Sequence, residues 1–403
     1  YQYLGQPFFV RPPGMSWVLA PLVETPFRAG EAGTLNLVVQ SSYVLAMLGV
    51  LLVLRRLHGA LWGTALTLLT ALNPIVVDGF NEVLSEFPSM ALLFFGLALL
   101  MPSREGARAP VGRALLGALL LGASLWFRSV GLLVLPALLL AELFAGGEAL
   151  PRRLGRGALL AALVVACILP WMIESGRRAE AAPRPSTQLL MFDYGTAMFR
   201  LDPSDPESRT LGLDDWVARV SQNTADLSGT VARAALGSAS GREGQPRHEV
   251  VDTRESVGLA PILTGVFALA LLVTALTRRS VVDFYALGYA ALLLLYFTYV
   301  DRLMLPLVPL LLSALFHTAQ LLLSKLAEAR RQLALGLLAA GLLSTSLIAF
   351  GDASSASEKK RQNFRADRQI ARWVNEQLPA DAELLYEKGS ILSLLTERRV
   401  YTY

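Results

Sequence analysis

The chain has 403 residues, of which 54% are hydrophobic and 17% charged, with a formal net charge of +4. Together with a positive mean hydropathy, this excludes an ordinary soluble domain and indicates a polytopic membrane protein. The positive charge is small and dispersed, with no Lys/Arg run interleaved with aromatics, so nucleic acid is not an expected partner. The single cysteine, Cys167, lies in an apolar block, which rules out a disulfide framework and a thiol metal site.

The chain opens at Tyr1 without a Met and stops at Tyr403 in strand-like sequence, which reads as a longer protein cut at both ends. Arg11-Pro12-Pro13-Gly14-Met15-Ser16-Trp17 make a rigid turn, and the short apolar piece that follows suits an interfacial helix rather than a crossing. Ten membrane spans are then expected, at about 35–54, 60–77, 86–101, 112–127, 129–145, 158–174, 259–277, 283–299, 303–323 and 332–350. Residues 112–145 are continuous apolar sequence broken by Arg128. At about 34 residues they are too long for one crossing, so two spans should meet at Phe127–Gly131.

Loop charge orients these spans. Short loops with Arg55/Arg56, Arg104/Arg108/Arg113, Arg152/Arg153/Arg156, Arg278/Arg279 and Lys325/Arg330/Arg331 alternate with loops that hold Asp78, Glu82 and Glu86, or Arg128, or Asp301 and Arg302. The first group is assigned to the cytoplasm by the positive-inside rule, which puts the acid-bearing loops, the long loop 175–258 and the tail 351–403 on the other face. Within the long loop, a helix is expected from about Asp214 to Ala235, with proline clusters at Pro183–Pro185 and Asp202–Pro206 and a linker over Ser238–Pro246. In the tail, residues 358–377 have helical spacing. The apolar run at Leu384, a second helix at Ile391–Thr396 and strand-like Arg399–Tyr403 follow, which suggests the start of a small αβ domain.

Asp78, Glu82 and Glu86 recur every four residues and would share one face of a helix. Stacked carboxylates repel, so they suit a bound cation, a basic ligand or acid–base work; the bland reading is a solvated helix entrance with Ser85 as its cap. Arg128 is the only charge in its apolar block, and its planar fork could hold a phosphate or merely snorkel to lipid. Asp301 and Arg302, at the mouth of another apolar run, leave the same two readings open. His58 and His317 are read as structural. No Walker-type phosphate loop, Gly-x-Ser-x-Gly elbow or zinc motif is present.

With these residues in place, the chain resembles the GT-C integral-membrane glycosyltransferases, in particular glycosyltransferase family 39 and its lipid A aminoarabinose transferase-like branch. Four segments carry the resemblance: Arg11 to Pro21, Asn73-Pro74 to Ser85-Glu86, Gly122 to Arg128 with Leu135-Pro136, and Asp301 to Pro309. The tail around Leu378-Pro379 and Leu395 to Tyr401 is similar to the family's outer αβ domain. The implied fold is an all-α GT-C-like bundle over 1–350, followed by a truncated αβ domain over 351–403.

The implied activity is transfer of a sugar from a polyprenyl-phosphate donor to a lipid, protein or glycan acceptor on the periplasmic face of a bacterial inner membrane, with inversion. A carboxylate deprotonates the acceptor, and Arg or a divalent metal ion stabilises the leaving phosphate. The resemblance places the principal catalytic Asp upstream of residue 1, so the chain as given is expected to be inactive. It carries Glu86 and Glu82 over as catalytic candidates, and Arg128, Arg302, Asp301, Asp78 and Arg11 as substrate-binding ones. A secondary transporter or lipid flippase is the main competing class, and a membrane scaffold or inactive relative the third. Transporters favour mid-membrane charges and inverted repeats, and this sequence shows neither.

Overall fold

The structure is a computed structural model. It describes residues 2–3, 6–7, 12–22, 32–80, 85–102, 109–181, 198–202, 205, 207–236, 260–296, 301–379, 382, 384–385, 396 and 400–401. The description therefore does not extend to Arg11, Glu82, Arg104, Arg108, the Pro183–Pro185 cluster, the linker 238–246, most of Ile391–Thr396 and the side chain of Asp301.

The described helices are α1 (Gly14–Leu19), α2 (Ala32–Ala71), α3 (Pro74–Phe80), α4 (Glu86–Leu100), α5 (Val111–Ser124), α6 (Val134–Phe144), α7 (Leu150–Ala181), α8 (Leu213–Leu236), α9 (Ala260–Thr277), α10 (Val281–Leu295), α11 (Val308–Leu322) and α12 (Glu328–Gln377). The protein is a helical membrane bundle. Thr34–Ala71, Leu150–Arg177 and Glu328–Ile348 are long and apolar enough to cross a bilayer, and shorter apolar helices pack around them. Strand pairing among the described residues comprises an antiparallel pair, Gln2–Tyr3 with Gln6–Pro7, a parallel pair, Leu384–Leu385 with Val400–Tyr401, and an isolated antiparallel bridge, Arg200 with Thr210.

α2 is a hairpin rather than one rod. Gly59 has φ 81, a left-handed conformation that costs glycine little, and the chain doubles back there into arms 32–58 and 60–71. The Tyr43 hydroxyl in the first arm donates to the Ala71 carbonyl at the end of the second, 3.0 Å away. The expected two spans are thus separate helices. α5 and α6 likewise form the expected hairpin, joined through a turn at 125–128 and a 3₁₀ turn, Ser129–Leu133.

Four expectations are corrected. Asp78 and Glu86 do not share a helix: Asp78 lies on α3, and Ser85, outside any helix, precedes Glu86 at the start of α4. Pro88 explains the break, since a helix running through Leu84 would set its ring against the Leu84 carbonyl, whereas in the first turn of a new helix it is tolerated. α7 starts at Leu150, with Pro151 in its first turn, so Arg152, Arg153 and Arg156 are helical; it runs on to Ala181, past the expected end at 174. The expected helices 332–350 and 358–377 are one continuous helix, α12, which no proline interrupts. Finally, the bonded helix after Arg302 begins only at Val308, because Pro306 and Pro309 cannot continue hydrogen bonding back into the turn before them.

The bundle has two distinct polar ends. At one, Arg56 and Arg113 both donate to the Met101 carbonyl, Arg156 pairs with Glu142 at 2.5 Å, and the Arg279 guanidinium lies over the Phe144 ring. There Arg278 pairs with buried Asp283 at 2.5 Å, and His58 bonds Ser313 at 2.8 Å. Ser280 and Asp283 form a capping box that starts α10. His317 bonds Thr277 at 3.0 Å, so both histidines serve contacts between helices. At the opposite helix ends, Glu86 starts α4, Arg128 follows α5 and Arg302 precedes α11, while Asp78 lies within α3.

The expected helix within the long loop is present as α8. Its buried face, including Leu227 and Val231, joins the core. Asn223 donates to the carbonyls of Leu294 and Tyr296 at 2.9 and 2.6 Å, and so closes the end of α10.

Candidate functional site

Glu86 is the first residue of α4 and only 2% exposed. A helix N-terminus favours an anion, yet burial of a lone carboxylate would cost several kcal/mol, so partners are required. Two arginines supply them. Arg128 Nη1 lies 3.0 Å and Arg302 Nε 3.7 Å from the same oxygen, Glu86 Oε1. The Ser85 hydroxyl leans on the other oxygen at 3.5 Å and makes no helix-capping bond, contrary to the cap expected from its position.

Each arginine is held by its backbone. Arg128 follows the end of α5, where its amide donates to the Ser124 carbonyl, and it is extended, with φ −148 and ψ 113. Two residues earlier, Trp126 is pinned from both sides. Its indole donates to the Cys167 carbonyl of α7 at 3.0 Å, while its own carbonyl accepts the Gly14 amide of α1 at 2.7 Å. The Trp17 ring stacks obliquely on it, with centroids 4.6 Å apart. The Pro12-Pro13-Gly14 turn thus braces the loop that carries Arg128. Arg302 sits on the 3₁₀ turn Asp301–Met304, and the buried hydroxyl of Tyr289 donates to the Leu303 carbonyl of that turn at 2.8 Å.

A narrow cleft opens beside Glu86, with a cavity volume of about 10 Å³, room for about one water molecule. Its described lining includes Glu86, Ser89, Arg128, Tyr285, Tyr289 and Pro306. Arg128 is 23% and Arg302 38% exposed, against 2% for the carboxylate between them. Among these three described charges, the balance is one net positive charge beside an apolar, aromatic-walled space. Arg128 lines the cleft and can offer its guanidinium to an anionic group, whereas Arg302 reaches Glu86 but is not among the described lining residues.

Glu86, Arg128 and Arg302 are therefore brought together from α4, the α5–α6 turn and the turn before α11. Asp78, on α3, is not among the described lining residues, and Arg11, Glu82 and the Asp301 side chain lie outside the description. Sequence reasoning missed Tyr285 and Tyr289, although two tyrosines one helical turn apart in an apolar span are a signal, since a buried hydroxyl needs a partner.

ArnT from Cupriavidus metallidurans in the apo state is similar to the chain with a TM-score of 0.57 and 14% identity, over 99% of this chain and 76% of ArnT. ArnT bound to undecaprenyl phosphate gives 0.55 at 13% identity, with the same coverage. The Archaeoglobus fulgidus oligosaccharyltransferase in the apo form gives 0.55 at 14% identity, over 98% of this chain and 58% of that one. The chain has the GT-C fold. At such identity the likeness carries architecture and not chemistry. No protein-family model matches the sequence, and no curated protein matches it. In this GT-C bundle the cleft lies at the helix ends opposite the arginine-rich turns.

Proposed function

We propose that this chain is a glycosyltransferase that moves a sugar from a polyprenyl-phosphate donor to a lipid, protein or glycan acceptor on the extracytoplasmic face of a membrane. The observation that carries this reading is the convergence of Arg128 and Arg302 on the single buried carboxylate Glu86, which leaves a net positive charge beside the cleft. The GT-C fold supports it, as do its neighbours: one is ArnT bound to undecaprenyl phosphate, another an archaeal oligosaccharyltransferase in complex with an inhibitory peptide and a dolichol-phosphate.

In the proposed reaction the acceptor hydroxyl or amide attacks the anomeric carbon from the face opposite the leaving group, so configuration inverts. The bond from that carbon to the phosphate oxygen breaks, and Arg128 and Arg302 take up the charge that grows on the departing phosphate. Glu86 aligns both guanidiniums. With Glu86 in that positioning role, the acceptor proton goes to another carboxylate, for which Glu82 is the candidate. A divalent metal ion, where one takes part, would stabilise the same departing phosphate. The proposal includes a bacterial inner membrane with the cleft facing the periplasm, residues 1–350 as the membrane domain, and 351–403 as the start of an αβ domain.

The test is binding of undecaprenyl phosphate to the protein in nanodiscs, measured by native mass spectrometry, with undecaprenol as the uncharged control. Arg128→Gln and Arg302→Gln should each weaken phosphate binding roughly tenfold or more, the loss of a charge-assisted bond of about 1.5–3 kcal/mol. Equal affinity of wild type and both variants would overturn the phosphate role.

A further inference from the structure

α8 is amphipathic along its whole length, but only part of it is covered. Residues 213, 217, 220, 224, 227 and 231 recur at three- and four-residue spacing and share a face. The second half of that face is buried, at Leu227 and Val231, where α8 packs along α9 and α10. The first half runs past those partners: Leu213 is 80% and Val217 62% exposed.

Two paired arms, 198–202 and 207–211, form a hairpin that adds to this uncovered apolar face. Arg200 and Thr210 bridge its arms, with the Leu201 amide donating to the Arg209 carbonyl at 3.0 Å and the Leu211 amide to Phe199 at 2.9 Å. Arg219 of α8 staples the hairpin to the helix by donating to the carbonyls of Met198 and Arg200, at 2.7 and 2.8 Å. The Phe199 ring meets Trp216 edge-on, and the Arg219 guanidinium lies over the same indole. Phe199 and Leu201 are nonetheless exposed, so the unit presents Phe199, Leu201, Leu213 and Val217 outward on a rigid base.

The polar groups point elsewhere. Asp214 and Asp215 lie about a quarter and a half turn round the helix from Leu213. Arg209 grips Asp215 in a two-pronged pair, at 2.5 and 2.8 Å, and that bond holds the carboxyl down to about 2. A large apolar face opposite an ion-paired polar face is the pattern of a helix that lies in a bilayer interface. The lateral position agrees: α8 packs along α9, whose own outward residues Ile262, Val266 and Leu269 are exposed on an apolar helix and face acyl chains.

We propose that this hairpin and the first turns of α8 form a foot that seats Phe199, Leu201, Leu213 and Val217 in the boundary between lipid headgroups and acyl chains. The occupant of this face is the phospholipid bilayer that already covers α9. The foot tethers the outer loop to the membrane at the end of the bundle where the cleft opens. It does not depend on the reaction proposed above.

Nitroxide labels on the full chain in phospholipid vesicles, on a Cys167→Ala background, test this. Leu213→Cys and Val217→Cys should collide more with oxygen than with a water-soluble nickel chelate, as should Leu269→Cys on α9, whereas Asp205→Cys in the hairpin should show the reverse. Preferential collision with nickel at 213 and 217 would overturn the proposal. Shielding from both reagents would overturn it equally, because protein would then cover the face. A measurement without cysteine changes gives a second check. Fluorescence quenching by phospholipids brominated near the headgroup should fall in Trp216→Phe relative to wild type; no difference would count against the foot.

Discussion

Glu86 shows how much a single buried charge constrains. With Arg128 and Arg302 on one of its oxygens, it is stable where a lone carboxylate would not be, and removal of one partner from a buried pair costs about 3–5 kcal/mol. Gly14 is the tightest constraint on Arg128. A Cβ there would lie 2.5 Å from the Trp126 carbonyl oxygen, a backbone atom that cannot swing aside. Gly14→Ala is therefore expected to lift α1 off the turn and to weaken undecaprenyl-phosphate binding as Arg128→Gln does, while Trp17→Phe, which keeps a stacking ring, should leave binding near wild type. The two arginines were legible in the sequence as isolated charges at the mouths of apolar runs. Their common carboxylate partner was not, because nothing in local spacing says which distant helix end a long side chain will meet.

At the scale of elements, apolar block length and turn chemistry located most helices. The α5–α6 hairpin and α8 formed close to their expected bounds, since each depends on local signals, Arg128 in its apolar block and a periodic amphipathic run, whereas the second arm of α2 stops at Ala71, short of the expected 77. Asp78 and Glu86 stand on different helices despite their spacing, because Pro88 opposes a helix running through to it from Leu84. Asn223 belongs to this scale, because one side chain of α8 ends α10, the helix that carries Tyr285 and Tyr289. Asn223→Ala would leave two carbonyls without this donor and should cost about 1–3 kcal/mol. The expected readout is a lower thermal unfolding midpoint in detergent, together with weaker undecaprenyl-phosphate binding as the Arg302 turn loosens. An unchanged midpoint would show that water closes α10 equally well.

For the whole molecule, the alternation of arginine-rich and acid-bearing turns corresponds to two physical ends of the bundle. One is knitted by Arg56, Arg113, Arg156 and Arg278, the other holds the cleft. If loop charge also sets orientation, Asp205→Cys and Lys325→Cys, each on a Cys167→Ala background, should label from opposite sides. A membrane-impermeant maleimide should reach residue 205 in right-side-out vesicles and residue 325 only in inverted ones. Labelling of both from one side would refute the assigned topology.

Composition and the lengths of its apolar blocks determined by themselves that this chain is a helical membrane bundle, because the bilayer imposes one length and one way of satisfying the backbone. They also singled out Arg128, Arg302 and Glu86, since charges beside such blocks are costly and therefore few. Only the tertiary structure decided that these three meet, that α1 braces the Arg128 turn through Trp126, and that half of α8 is left uncovered. Those facts depend on contacts between residues far apart in the chain, whose geometry is set by how whole helices pack and not by any local run of sequence.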